Sequence, residues 1–424
     1  MSAQPSYLII GAGVFGVSTA YHLIRKYSEA HIQLIDRTQY PCPLAASWDW
    51  NKVIRADYGD IFYMEKALEA IEYWRHDLLF SQFYHQSGMI NIDNADLGRK
   101  VLKNYEKLGI EVDAEMVSPE RLKALYGSFY DNTDFSEVGK VFVNRDSGWA
   151  EATKALTAYT DAAIEAGVKY AAADVDVLTF GRDGGCTGVL TKGGENITAD
   201  RIILATGAGT AQLIADSAPN RSELQVDGRL VAGAVVTGIV NPDPKDGKQY
   251  TEIPVTVHSV LPTRGEVMPL TAPLSDQDPY TVKFCRDEAY KNTFKHEASG
   301  QEFSSPPDEP GQAQKEPNEA LKKRLELVKN GILGEPGKDV KFDEDAVTPS
   351  QDFIITPHPH SQYLYLATGG SFHGWKFMPT IGRYVVEMLD GSLDPSLAKR
   401  WAWDRENEGG AHTHLLPTIE LRDL

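Results

Sequence analysis

Tyr7-Leu8-Ile9-Ile10-Gly11-Ala12-Gly13-Val14-Phe15-Gly16 is a short apolar run that ends in glycines spaced G-x-G-x-x-G. An apolar-rich helical pattern, Val17 to Ile24, follows at once. The spacing predicts the strand, tight turn and helix start of a dinucleotide-binding βαβ unit. Gly11 makes the turn, Gly13 admits a pyrophosphate close to the backbone, and Gly16 lets helix and strand pack. The helix N-terminus offers free N–H groups and the positive end of its dipole to the phosphates. A second predicted strand, His31-Ile32-Gln33-Leu34-Ile35, ends in Asp36, whose carboxylate stands where a ribose hydroxyl is held. The motif alone leaves NAD, NADP and FAD open, with Asp36 weighing against a 2′-phosphate.

The chain has 424 residues and a net charge of −18. That length predicts two or three domain-sized units with ample core, and the acidic balance argues against a nucleic-acid partner. Three widely separated cysteines, Cys42, Cys186 and Cys285, provide neither a disulfide framework nor zinc spacing, and no metal is expected. The N-terminus runs directly into the first strand, and no apolar run reaches the roughly 18 residues of a membrane helix. The expectation is a cytoplasmic protein with no membrane partner. The C-terminal Leu421-Arg422-Asp423-Leu424 does not match the peroxisomal tripeptide.

After Asp36 a proline-containing loop of small residues reaches Ser47, and Asn51-Lys52-Val53-Ile54-Arg55 places two cations three residues apart, the spacing of one side of a helical turn. Residues 60–80 read as an amphipathic helix, 81–95 as strands and 96–130 as polar helix. Gly148-Trp149-Ala150 opens a long helix to about Gly167. Two apolar strands end in Thr-Gly junctions, Ala205-Thr206-Gly207 and Ala367-Thr368-Gly369, which belong at the carboxyl ends of strands in an α/β sheet. Between about 225 and 290 the pattern is β. Residues 298–318, rich in Ser, Pro, Glu and Gln, read as an exposed loop, and Glu319 to Lys329 as a helix. The fold class is α/β with an α+β second domain: a Rossmann-like nucleotide-binding domain from 1–60, 140–225 and 335–424, and a mostly antiparallel substrate domain from 61–139 and 226–334.

The chain resembles the FAD-dependent amine oxidases of the glycine/D-amino-acid oxidase group, nearest to the branch of sarcosine, pipecolate, saccharopine and fructosyl amino acid oxidases (amadoriases). The resemblance spans nearly the whole chain. It rests on Gly11 to Gly16 with Asp36, Asn51 to Arg55 with Tyr58-Gly59, Gly148-Trp149-Ala150 and Ala205-Thr206-Gly207. Thr348-Pro349 followed by Asp352-Phe353-Ile354-Ile355, and His373 to Gly382, complete it.

The resemblance implies FAD as cofactor. Gly11, Gly13, Val14, Phe15, Gly16 and Asp36 would hold its ADP half, with Arg37 and Ser47 around the ribose and pyrophosphate. Further contacts would come from Ala205, Thr206, Gly207, Gly370, Gly374 and Lys376, and from Lys52 close to the flavin ring. His373 has two readings, a flavin or substrate contact and a packed core histidine. Arg55 and Lys376 would bind a substrate carboxylate, and Asp287 matches a substrate-touching carboxylate of the fructosyl branch. Lys283 would face the flavin and activate oxygen, its ammonium stabilising the superoxide-like state. The family commonly attaches FAD through a cysteine six residues before the proline of the Thr-Pro pair. That position is Asp343 here, so non-covalent FAD is expected.

The implied function is oxidation of a secondary amine bearing a carboxylate, with O2 as acceptor, in a monomer or small homo-oligomer. Two rivals are an amine dehydrogenase or tailoring enzyme using another acceptor, and a degenerate nucleotide-binding interaction protein.

Overall fold

The computed structural model describes residues 5–94, 96–241, 250, 253–269, 282–306, 318–332, 339–405 and 416–424, with 128, 240 and 339–345 described as backbone. The opening apolar run forms the strand Tyr7–Ile10 in a six-stranded sheet. Across that sheet run Ile354–Pro357, Leu364–Thr368, Arg201–Leu204, Tyr7–Ile10, Ile32–Asp36 and Lys169–Ala172, all parallel except the first. Both faces are covered, as a parallel sheet requires. Tyr7, Ile9, Leu34 and Ile203 pack under the helices Val14–Lys26, Ala152–Glu165 and Ile381–Leu389. Leu8, Ile10, Ile35, Ile202 and Leu204 face the helix Thr210–Ser217 and a small antiparallel sheet, Val175–Phe180, Cys186–Thr191 and Asn196–Thr198.

Gly11 has φ +102°, and a Cβ there or at Gly16 would collide with the backbone oxygen of Ala205 or of Gly11 respectively. Helix and strand therefore approach as closely as the motif predicts. Because Tyr7–Ile10 pairs in parallel with Arg201–Leu204 and with Ile32–Asp36, Gly11, Asp36 and Ala205 emerge at one edge of the sheet.

A ten-stranded, mostly antiparallel sheet forms the second layer. Its order is Ile419–Glu420, Tyr290–Lys291, Val231–Val240, Val282–Arg286, Gly265–Pro269, Val255–His258, Met89–Ile92, Val141–Asn144 and Ala114–Val117, with Asp339–Val347 also paired to Val231–Val240. Three of these strands, Val141–Asn144, Asp339–Val347 and Ile419–Glu420, lie in sequence ranges expected with the nucleotide-binding unit. The helix Glu319–Ile332 buries Leu321, Leu325, Val328 and Ile332, an i, i+4, i+7, i+11 stripe, on Val236, Val267 and Phe284. Each fully buried side chain of that kind contributes about 1.5–3 kcal/mol.

Four local expectations are corrected, the first by the strand Ala114–Val117, paired with Val141–Asn144 inside the range 96–130 that read as polar helix. Asn51–Ile54 is a strand paired with Gly148–Glu151, not a helical turn, since β-branched Val53 and Ile54 fit a ladder opposite Trp149 and Gly148. For the same reason Gly148–Glu151 is a strand, and the helix starts only at Ala152. Within 298–318, Glu302–Ser304 pairs with Thr293–Lys295, and Ser304 and Ser305 are buried. The segment 307–317 lies outside the described residues.

Candidate active site

One cavity of about 1010 Å³ runs from the edge of the parallel sheet to the large sheet. Gly11, Gly13, Val14, Phe15, Asp36, Arg37 and Ser47 line one end, with Ala205, Thr206 and Gly207 beside them. Lys52, Arg55, Lys283, Asp287, Gly370, His373, Gly374 and Lys376 line the other. Gly16 is not among the lining residues; it sits behind the turn against Gly11 and Ala205. Asp343 lies on the backbone-described part of Asp339–Val347, its Cα paired with that of Val235. Its side chain lies outside the described residues.

The walls suit a dinucleotide. The Asp36 carboxylate accepts from the backbone N–H of Ala12 (2.8 Å) and of Arg37 (2.7 Å), which fixes it at the turn with lone pairs to spare. The Ser47 hydroxyl accepts from the N–H of Val14 at 3.1 Å, at the first turn of the helix. Thr368 Oγ1 is buried on the cavity wall without a hydrogen-bond partner among the described residues, an unmet polar atom of the kind a bound group satisfies. The volume lies at the top of the range of small-molecule pockets.

The floor of the cavity is one face of the large sheet. Successive residues of a strand point to opposite faces, and the register aligns two rows across the strands. Asn91, Val257, Glu266, Cys285 and Thr237 form one row. Met89, Val255, Met268 and Lys283 form the next. Val267 and Phe284, which lie between them, and Val236, next to Thr237, point to the other face and pack on the helix Glu319–Ile332. A lysine between the apolar Val282 and Phe284 is thus explained: Lys283 occupies an inward position.

Lys283 is 2 % exposed, and its Nζ donates to the Asp49 carboxylate and to the carbonyl of Asn51 at 3.4 Å. Lys52 Nζ stands 2.8 Å from the same Asp49 oxygen. One fully buried carboxylate therefore holds two lysines. Asn51 adds a tie between the layers by donating its side-chain N–H to the carbonyl of Pro269 at 2.6 Å.

The second cationic group is built around Tyr58. Lys376 Nζ donates to Tyr58 Oη at 2.9 Å and to the His373 carbonyl at 2.8 Å. The Arg55 guanidinium lies 4.9 Å from the centre of the Tyr58 ring and donates to the carbonyl of Asp57. His373 Nε2 is 2.8 Å from the Gln351 carbonyl, and Nδ1 is 3.1 Å from Tyr58 Oη. A carbonyl can only accept, so Nε2 carries the proton and Nδ1 accepts from the tyrosine hydroxyl. Burial and the Lys376 charge push His373 down to about 3, which keeps it neutral. Burial, with Arg55 beside it, also pushes the Lys376 ammonium well below its usual range. His373 is both a cavity-lining residue and a packed one, since each ring nitrogen has a partner inside the protein.

Sequence reasoning passed over Asp49, Tyr58 as a hydrogen-bonding group, and Glu266. Asp49 stands three residues before Lys52, and Glu266 is a lone acid in the apolar strand Gly265–Pro269; those were the available signals. Burial raises the Glu266 carboxyl, with Lys283 opposing the shift, Asp287 adding to it, and Lys52 and Arg55 opposing it. Among the described residues no group of three or more His, Cys, Asp or Glu could hold a metal ion, and no helix is long and apolar enough to cross a membrane.

The comparisons agree with this architecture. L-saccharopine oxidase of Schizosaccharomyces pombe is 24% identical over 424 residues, covering 95% of this chain and 93% of that protein. The amino acid oxidase imqH of Aspergillus flavus is 23% identical and covers 93% of this chain and 96% of its own length. Fructosyl peptide oxidase from E. terrenum superposes with a TM-score of 0.84 at 24% identity, covering 100% of this chain and 97% of that one. Amadoriase II of Aspergillus fumigatus, in complex with FSA, gives 0.83 at 23% identity, covering 100% of this chain and 97% of that one. The family model for DAO, described as FAD dependent oxidoreductase, matches residues 6–388, and the chain belongs to that family.

Proposed function

We propose that this protein is an FAD-dependent oxidase of a secondary amine carrying a carboxylate, whether an N-substituted, cyclic or fructosyl amino acid. The observation that carries this reading is the convergence, in one cavity, of two cationic groups with different surroundings: Arg55 and Lys376 around Tyr58, and Lys283 with Lys52 on Asp49. Bound FAD supplies the hydride acceptor and, once reduced, the electrons for oxygen.

The chain's own residues bind and orient. Gly11, Gly13, Val14, Phe15, Asp36, Arg37 and Ser47 hold the ADP half, and Ala205, Thr206, Gly207, Gly370 and Gly374 line its path toward the large sheet. Arg55 and Lys376 take the substrate carboxylate, a role in which a guanidinium beside a desolvated ammonium gives strong charge-assisted hydrogen bonds. The Tyr58–His373–Gln351 hydrogen-bond chain fixes the Lys376 head. Lys283, held by Asp49, presents a fixed positive charge on the floor, where it stabilises the anion formed as oxygen is reduced. Asp287, at the end of the same strand, reaches the more distant part of the substrate. The products are an imine and hydrogen peroxide.

FAD is held without a covalent bond, because Asp343 stands where the resemblance expects the attaching cysteine and cannot form a thioether. Acid precipitation of the yellow protein tests this: the colour should stay in the supernatant, and flavin pelleting with the protein would overturn it. A peroxide-release screen over N-alkyl, cyclic and glycated amino acids tests the activity. Flavin reduction by such an amine without peroxide release would point to a dehydrogenase, and a purified protein lacking flavin absorbance would end the reading altogether.

A further inference from the structure

We propose that Glu266 recognises the substrate's amino group, so that the cavity selects amines that enter as ammonium ions. Its place in the sheet supports this. Glu266 belongs to the row Asn91–Val257–Glu266–Cys285–Thr237, one step along the floor from Lys283. It lines the cavity, and its side chain has no hydrogen-bond or ion-pair partner among the described residues. The charged groups that act on it come from each element facing it: Lys283 and Asp287 from the neighbouring strand and its end, Lys52 and Arg55 from Asn51–Ile54 and the residue after it. Lys376, from the turn at Trp375–Phe377, feels Glu266 in return.

Glu266 thus lies within electrostatic reach of both cationic groups. In any α-amino acid the nitrogen is two bonds from the carboxylate carbon. A substrate whose carboxylate rests on Arg55 and Lys376 and whose reacting carbon approaches the Lys283 side must place its nitrogen in the space between them. Without an anion there, four cationic side chains would repel an ammonium group. Asp49 cannot serve, because Lys283 and Lys52 already hold it. The Glu266 carboxylate supplies the missing complement, and burial makes it worth more than a surface charge.

The inference rests on the reading of Arg55 and Lys376 as the carboxylate site, and the test separates the two. The probes are 2-aminoisobutyrate, which has no α-hydrogen to lose, and pivalate, in which a methyl group replaces the ammonium. Binding to the FAD-loaded protein is followed through the visible spectrum. In the wild type the ratio of the two dissociation constants should favour 2-aminoisobutyrate and do so increasingly as pH rises above the ordinary carboxylate range, through the raised ionisation of Glu266. Effects at the shared carboxylate site cancel in that ratio. In Glu266→Gln the preference should fall by roughly tenfold or more and lose its pH dependence, with pivalate affinity retained. Equal weakening of both probes would make Glu266 a merely structural residue, and an unchanged preference would remove it from amine recognition. A pH-independent ratio in the wild type overturns the inference even if the variant does not fold. Failure of the wild type to bind either probe overturns the carboxylate reading and this inference with it.

Discussion

The two ends of the cavity are made of different material. At the end proposed for the nucleotide the surface is largely backbone: the turn Gly11–Gly13, the amides of Ala12 and Val14 with their side-chain acceptors Asp36 and Ser47, and the Ala205–Gly207 junction. At the end proposed for the substrate it is side chain, contributed by segments around residues 49–58, 266, 283–287 and 373–376. A backbone surface tolerates few changes because its geometry is the fold itself. A side-chain surface can be edited one residue at a time, with the floor of the large sheet left in place.

That contrast can be tested most sharply at Lys283. Lys283→Met should slow oxygen reoxidation of the reduced protein by about 100-fold or more while flavin reduction by substrate changes far less. Stopped-flow measurement of the two half-reactions gives the answer, and equal effects on both would remove Lys283 from the oxygen step. Asp49→Ala leaves two lysine heads without their shared buried carboxylate. The expected cost is on the order of 3 kcal/mol, read as a melting temperature several degrees lower. An unchanged melting temperature would mean the triad contributes no net stability.

At the other end, Gly11→Ala should act through the backbone. A side chain at φ +102° that meets the Ala205 carbonyl costs about 1–3 kcal/mol. The protein should purify with less flavin and release it at lower denaturant concentration, while substrate carboxylate affinity in the flavin-loaded fraction stays near wild type. Full flavin retention would show that the turn has room to give. The smallest effect expected is a fraction of a proton. Lys376 is pushed down by burial and Arg55 in the free protein, and an incoming carboxylate favours its charged form. Pivalate binding should therefore take up protons between that lowered value and the higher one of the complex. Calorimetry in two buffers of different ionisation enthalpy reads the sign, and zero uptake throughout the range below the usual lysine value would place the carboxylate elsewhere.

The same contrast explains what could be read from the sequence. Gly11 to Gly16 and Asp36 announce their geometry locally, since the constraint on each residue comes from its immediate neighbours. The parallel sheet and its Thr-Gly junctions were legible for that reason. Lys52 and Arg55 were legible as cations but not in their setting, because three-residue spacing suits a helical turn and the ladder to Gly148–Glu151 cannot be seen from 51–55 alone. Asp49 and Glu266 were missed for a stronger version of this reason. Asp49 acquires its role from Lys283, 234 positions away, and Glu266 from a register spanning five strands. A lone acid carries no periodic or spacing signal until the sheet is assembled.

The alternating floor also makes the enzyme's evolvability specific. Changes at Asn91, Thr237, Val257, Glu266, Met268 or Cys285 alter the wall a ligand meets, whereas changes at Val236, Val267 or Phe284 disturb the packing of Glu319–Ile332. A mutational library confined to the first set would search ligand preference at little cost in folding. Each strand is in effect a two-track tape, one track written by selection for substrate and the other by selection for a stable protein, so new preferences can arise without renegotiating the core.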